Sequence, residues 1–369
     1  MITPADQVSP PLRSWDSPSY LATRDADRMR ACFQKAGWLS LAGRRTMIQQ
    51  TLDRCSAWVS AENSWVVTNA VQADAVREQL PSLPAGNVLV EPAARNTAAC
   101  VGLAALEILR RDPEGIMFVM PADHVIRTDE AFSRAALRAV SIVQQSPESL
   151  VLFGVIPTFP STGYGYIERG TRLDTETPTL FQVQAFREKP QQAVAEQYLR
   201  DGRYFWNCGI FCWKAATIMN LLQQYEPELA AGLREIDAAA ETPDYPQVLA
   251  QKFPLLKSIS IDYAVLERAQ NVCVLEAPFQ WDDVGSWLSL PRLNGSDAQG
   301  NTTDGLFAGV DTQGCIVRTS DDHLVATLGL RNLIIVHTPD ATLVADAAQS
   351  ERIKQLLDLL TEQQLQQYL

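Results

Sequence analysis

From residue 39 onward the chain alternates short, β-rich apolar runs with stretches of helical periodicity, and this alternation restricts the fold more than any other feature. Trp65-Val66-Val67 and Val88-Leu89-Val90 lead to a helical pattern over Thr97 to Arg111, then to the run Ile116-Met117-Phe118-Val119-Met120. A helix around Glu130 to Gln145 and strands at Leu150 to Val155, Phe181 to Phe186, Phe205 to Trp213 and Val272 to Glu276 extend the series, and a helix at Gly285 closes it. Strands separated by helices in this rhythm form a doubly wound α/β sheet. The run at Ile116, bounded by Gly115 and Pro121, reads as a buried parallel strand, which puts Pro121-Ala122-Asp123-His124 just beyond its carboxyl end. Open α/β sheets place their ligands there.

After Pro291 the texture changes to short apolar runs between polar turns: Leu306-Phe307-Ala308, Cys315-Ile316-Val317, Leu324-Val325-Ala326, Leu333 to Val336 and Thr342-Leu343-Val344. Without intervening helices, such runs predict a small β-rich domain, coiled in the manner of a β-helix, and an amphipathic helix from about Ser350 to Leu369 ends the chain. Residues 1–38 differ from both parts. They contain Pro-Pro, scattered Asp and Arg, and no apolar run of four, so they are expected to be an atypical and poorly ordered segment. The expected division is 1–38, an α/β domain over 39–290 and a β-helix-like domain with its helix over 291–369.

The chain has 369 residues, 46% of them apolar, enough for a large core and a smaller second one. Its formal charge of −12 argues against nucleic-acid and anionic-membrane partners, which need clustered Lys and Arg. Seven scattered Cys residues, without a C-x-x-C pair, suggest neither a disulfide framework nor a zinc site. Met1 to Pro11 has neither a basic start nor an apolar stretch, and no window reaches membrane-span length, so a cytoplasmic location is expected.

Several segments carry chemistry. Asp123, beside an imidazole, could hold a divalent metal over a phosphate or simply cap the next turn. Glu91-Pro92-Ala93-Ala94-Arg95-Asn96-Thr97 joins a strand to a helix rich in small residues; Asn96 or Thr97 can cap that helix, while Arg95 is not needed for capping and points to a binding loop. Gly163-Tyr164-Gly165-Tyr166-Ile167-Glu168 lets backbone approach a sugar face, or is a glycine-rich hairpin with cross-strand tyrosines. Arg187-Glu188-Lys189-Pro190 sets a carboxylate and an ammonium at a strand end, as a sugar and phosphate contact or as a solvated surface pair. Trp206-Asn207-Cys208-Gly209 puts an amide in an apolar strand, where it must be bonded to backbone or to a ligand. In Ser260 to Glu267 a helix start accounts for Asp262 by capping. Trp281-Asp282-Asp283-Val284-Gly285 supplies two carboxylates before a helix, one more than a cap needs, and with Asp123 would complete a two-carboxylate magnesium site.

Taken together, Glu91 to Ala99, Pro121 to His124, Gly163 to Glu168, Glu188 to Pro190, Trp206 to Gly209, Ser260 to Glu267 and Trp281 to Trp287 resemble the mannose-1-phosphate guanylyltransferases, among the sugar-phosphate nucleotidylyltransferases, over about Leu39 to Val344. The resemblance implies a Rossmann-like nucleotidyltransferase domain and a C-terminal left-handed β-helix. It also implies magnesium-dependent transfer of GMP from GTP to mannose 1-phosphate, releasing pyrophosphate. Asp123 and Asp283 would hold Mg2+, and Glu91, Arg95, Asn96 and Thr97 would lie at the nucleotide. Tyr164, Gly165, Glu168, Glu188 and Asn207 would surround the sugar, and Lys189 would meet its phosphate as a catalytic cation. GTP and mannose 1-phosphate are the implied partners, and the β-helical tail is a surface for a homodimer. The family opens with a strand and a Gly-Gly-x-Gly-Thr-Arg-x-Trp-Pro-x-Ser-Arg loop followed by Pro-Lys-Gln. Residues 1–38 do not match these, and the resemblance resumes at Leu39-Ser40-Leu41-Ala42-Gly43. A frameshifted start would account for this. The alternatives are a catalytically inactive sugar-nucleotide-binding or interaction homologue and a transferase for another sugar phosphate.

Overall fold

β-Branched and aromatic runs supply nine strands to the larger unit, Ile48–Trp281, in the computed structural model, which describes residues 45–319, 322–339 and 341–365. Segment 1–38 and its expected disorder lie outside the described residues. The strands are β1 (Val66–Asn69), β2 (Val88–Glu91), β3 (Ile116–Val119), β4 (Val125–Arg127), β5 (Leu150–Val155), β6 (Gly165–Arg172), β7 (Leu180–Glu188), β8 (Tyr204–Lys214) and β9 (Val272–Glu276). Six of them form one mixed sheet in the order β3-β8-β5-β9-β7-β6, and β6 also pairs with β8.

Period-two alternation along β5 explains why helices lie on both faces. Leu150 and Leu152 enter a core shared with the helices Asn96–Arg111, Ala215–Tyr225 and Pro227–Asp237. Val151 and Phe153 enter another, against the helix Asp129–Gln145. All four side chains are wholly buried, and each contributes roughly 1.5–3 kcal/mol relative to exposure. The α/β arrangement expected from the chain's rhythm is therefore present.

The run at Ile116 departs from its expectation. β3 is antiparallel to β8, with Ile116 opposite Lys214 and Val119 opposite Phe211, and its residues alternate between half-buried and buried. An apolar run carries no information about strand direction. The orientation follows from β8, eleven residues long, which borders both β3 and β5 and runs against both. The ring of Phe118 still meets Trp58, Phe132 and Phe153 edge-on, at 5.0, 5.9 and 5.7 Å.

β1 and β2 form a separate parallel pair, Val66 opposite Val88. Among the described residues, β1 pairs with β2 alone and β3 with β8 alone. Trp65, Val66 and Val67 at β1 and Met117, Phe118 and Val119 of β3 line one cavity of about 460 Å3.

The second unit, from Asp282 onward, has the coiled β texture that its short runs predict. Strands Thr302–Asp304, Ile316–Arg318 and Leu333–His337 stack in parallel, Thr302 beside Ile316 and Ile316 beside Ile334. Phe307–Val310 and Val325–Leu328 form a second parallel pair. Cys315, Val317 and Ile335 fill the coil, and the helix Ile353–Glu362 follows. Among the described residues no helix is long and apolar enough to cross a membrane.

Candidate active site

Strand register alone gathers three of the expected sugar residues. Gly165 of β6 stands opposite Glu188 of β7 on one side and Asn207 of β8 on the other. A Cβ on Gly165 would lie 2.5 Å from Glu188 Oε2 and 3.4 Å from the Asn207 Cβ. Glycine thus keeps the space between a carboxylate and an amide open, and only a residue without a side chain can do so.

The amide is fixed from both ends. Asn207 Nδ2 donates to Asp262 Oδ1 at 3.0 Å, while Asn207 Oδ1 accepts the Gly209 N–H at 3.1 Å. Gly209 has φ +70, a conformation that glycine adopts without strain. Asp262 begins a short π-helical turn, Asp262–Leu266, a rare geometry that is frequent at functional sites. Burial, and then the nearby charge of Glu188, push its carboxyl up from 3.8 to about 6, against the pull of its own backbone N–H and of Asn207. Glu267 is also raised, by burial and by Glu188, and Arg187 and Arg268 oppose the shift. These carboxylates make this corner of the unit negative. The expectation that Asp262 serves as a cap is corrected: Ser260 Oγ accepts the Tyr263 N–H at 3.3 Å, and Asp262 holds Asn207 instead.

Lys189 follows at φ +46, with Nζ 3.3 Å from Glu188 Oε1 and its N–H donating to the Tyr164 carbonyl at 3.2 Å. A left-handed lysine is uncommon, and here it turns the chain as β7 ends. Tyr164 meets Trp206 and Trp281 edge-on, at 5.1 and 5.2 Å. Glu168 is not brought into the row. Three residues beyond Gly165, it faces the other side of β6 and pairs with Arg203 at 3.1 Å.

Asp123 lies beyond β3 with its side chain 37% exposed, and His124 Nε2 is 3.9 Å from its Oδ1. His124 Nδ1 accepts the Trp281 indole N–H at 3.0 Å.

The residues expected at the nucleotide cluster at the end of β2 and the start of the next helix. Glu91 is buried at the strand end. Arg95 donates to the Pro254 carbonyl. Asn96, at φ +61, accepts the Thr97 N–H on Oδ1 at 2.8 Å. Thr97 Oγ1 accepts the Ile261 N–H at 2.7 Å, and the Ala98 N–H donates to the Ile259 carbonyl at 3.1 Å. The helix start is thereby latched to the segment that carries Asp262.

Asp283 belongs to the second unit, where Oδ1 accepts the Gly285 N–H at 3.1 Å. The helix expected right after the Asp pair begins later, at Leu290, after a 3-10 turn over Trp287–Ser289. Asp282 takes the structural role, bound to Arg292 at 2.8 Å and to the Val284 N–H at 2.8 Å.

Sequence reasoning misses two residues of this site. A position at a helix start hides Asp262, and Trp281 carries no signal beyond its place next to the Asp pair.

Residues 35–300 match the Nucleotidyl transferase family, and residues 306–360 match the MannoseP isomerase/GMP-like beta-helix domain. A mannose-1-phosphate guanylyltransferase from Klebsiella pneumoniae is 35% identical over 336 residues, 90% of this chain and 70% of the relative. The alginate biosynthesis protein AlgA of Pseudomonas syringae is 35% identical over 330 residues, 88% of this chain and 67% of its own. A solved structure titled mannose-1-phosphate geranyltransferase, from Thermus thermophilus, superposes with a TM-score of 0.76 at 33% identity, covering 86% of this chain and 90% of that one. With matching motifs, sheet and β-helical tail, the chain belongs to the nucleotidyl transferase family, among the mannose-1-phosphate guanylyltransferases.

Proposed function

We propose that the protein transfers GMP from GTP to mannose 1-phosphate, giving GDP-mannose and pyrophosphate. The observation that carries this reading is the Glu188–Gly165–Asn207 row, a hollow with a carboxylate and a locked amide at its sides and Lys189 at its end. Sugar hydroxyls donate to Glu188 and exchange hydrogen bonds with Asn207, while the Lys189 ammonium meets the phosphate. Glu91, Arg95, Asn96 and Thr97 take the nucleotide side, and Tyr164 flanks the sugar. Glu168 supports this region through β6.

A phosphate oxygen of the sugar phosphate attacks the α-phosphorus of GTP. The new P–O bond forms as the bond to the β-phosphate oxygen breaks, and the electron pair and charge leave with pyrophosphate. Positioning and charge neutralisation supply the rate, with no covalent enzyme intermediate.

Nucleotidyltransferases of this kind use a divalent metal, which we take to be magnesium. The donor chemistry fits: Asp123 offers hard carboxylate oxygen, and among the described residues no three His, Cys, Asp or Glu side chains converge, so phosphates and water would supply the remaining ligands. The resemblance assigns Asp283 as the second carboxylate. Bound there, the metal would neutralise phosphate charge. We further propose a cytoplasmic enzyme that dimerises through its β-helical unit.

Pyrophosphate release from GTP and mannose 1-phosphate with Mg2+, with the product resolved across other nucleotide and sugar-phosphate pairs, tests the assignment. Turnover with a different pair only would overturn it.

A further inference from the structure

Trp281 has no part in the chemistry above, yet within its unit it touches both halves of the site. Its ring meets Tyr164 edge-on at 5.2 Å and tilts against Trp206 at 6.5 Å, both on the sugar side. It also meets His124 edge-on, at 5.3 Å and an interplanar angle of 80°, on the side of Asp123.

The polar contact is directional. An indole nitrogen can only donate, so at 3.0 Å from Trp281 Nε1 the His124 Nδ1 must be an acceptor. A neutral imidazole accepting on Nδ1 carries its proton on Nε2. That nitrogen lies 3.9 Å from Asp123 Oδ1, longer than a hydrogen bond but close enough for the ring to act on the carboxylate electrostatically. The ring has little room to choose otherwise. Its side chain is only 12% exposed, and Gly209 packs beside it and Pro121. Gly209 is the same residue whose N–H holds Asn207.

We propose that Trp281 is a positioning residue for Asp123: its indole N–H selects the Nε2–H tautomer of His124, which leaves the protonated nitrogen on the side of Asp123 and biases the carboxylate for its ligand. The ligand is a divalent cation, so the proposal rests on the metal reading of Asp123. Groups standing behind a metal ligand bias its orientation, and losing one typically weakens metal binding by about 10- to 100-fold.

The chain has three histidines, so 15N-histidine labelling resolves the tautomer directly. The unmodified protein is expected to show His124 as the Nε2–H form. An Nδ1–H form would overturn the proposal without any variant. Trp281→Phe keeps a ring against Tyr164 and Trp206 but removes the donor. It is expected to give a mixture of tautomers, to weaken Mn2+ binding about 10-fold in a spin-resonance titration, and to lower kcat while KM for mannose 1-phosphate stays within about two-fold. An unchanged tautomer, or a changed tautomer with unchanged Mn2+ binding, would overturn it. Asp123→Asn separates the two layers of the argument: if that variant binds Mn2+ as tightly as the unmodified protein, the metal reading falls, and the proposal with it.

Discussion

Two regions of the larger unit are held in different ways. On the β6–β7–β8 side each strand borders at least two others, and the row from Glu188 through Gly165 to Asn207 inherits its spacing from backbone register. On the other side β1 and β3 line a common cavity, and the expected nucleotide residues depend on side-chain latches such as Thr97 to Ile261 and Arg95 to Pro254. Register fixes positions along a strand within a fraction of a residue, whereas a latch holds only as long as its one bond. The proposed sugar side is thus preformed by the sheet, and the proposed nucleotide side is held by a few contacts.

The largest test of this contrast is Asn207→Ala. It removes the bonds to Asp262 and Gly209 together, and kcat/KM for mannose 1-phosphate is expected to fall about 100-fold, roughly 2.7 kcal/mol. A fall below about three-fold in steady-state assays would break the assignment of the row.

A matched pair of valines sharpens the comparison of packing. Val151→Ala, in a fully enclosed core, should cost about 2–3 kcal/mol in denaturant melts, a transfer loss plus a new cavity. Val67→Ala beside the existing cavity should cost about 1 kcal/mol, because little new void is created. Equal losses would show that both sides are equally tight.

The smallest effect concerns pH. Asp262 is harder to ionise in the folded protein than in the unfolded chain, so folding favours its protonated form. Its destabilising contribution is absent below about pH 4, grows as pH rises and is complete above about pH 6. Asp262→Asn should therefore flatten the decline of melting temperature over that window. An unchanged slope would mean that the carboxyl is not constrained as the geometry requires.

Much of the architecture is legible in the sequence because period and burial are local properties. The strands at Leu150 and Val272 begin and end where the apolar runs do, since both are buried on two faces. The direction of β3 is not legible, because a neighbour distant in the chain decides it. The row around Gly165 is legible only in part. Glycine, glutamate and asparagine stand out as residue types, but strand parity separates Glu168 from them, and that parity emerges only once the register is known. Asp262 shows the reverse error: a cap is the ordinary local role of such a residue, and its actual partner lies 55 positions away.

The edges of β1 and β3 bear on more than catalysis. A strand edge not engaged within its own sheet presents a row of amide and carbonyl groups, and proteins usually blunt such edges with lysine, proline or a bulge. Val66–Asn69 and Ile116–Val119 contain neither lysine nor proline. Both flank a greasy recess, and among the described residues each pairs on one side only, so four-residue length is what limits strand addition by a neighbouring chain.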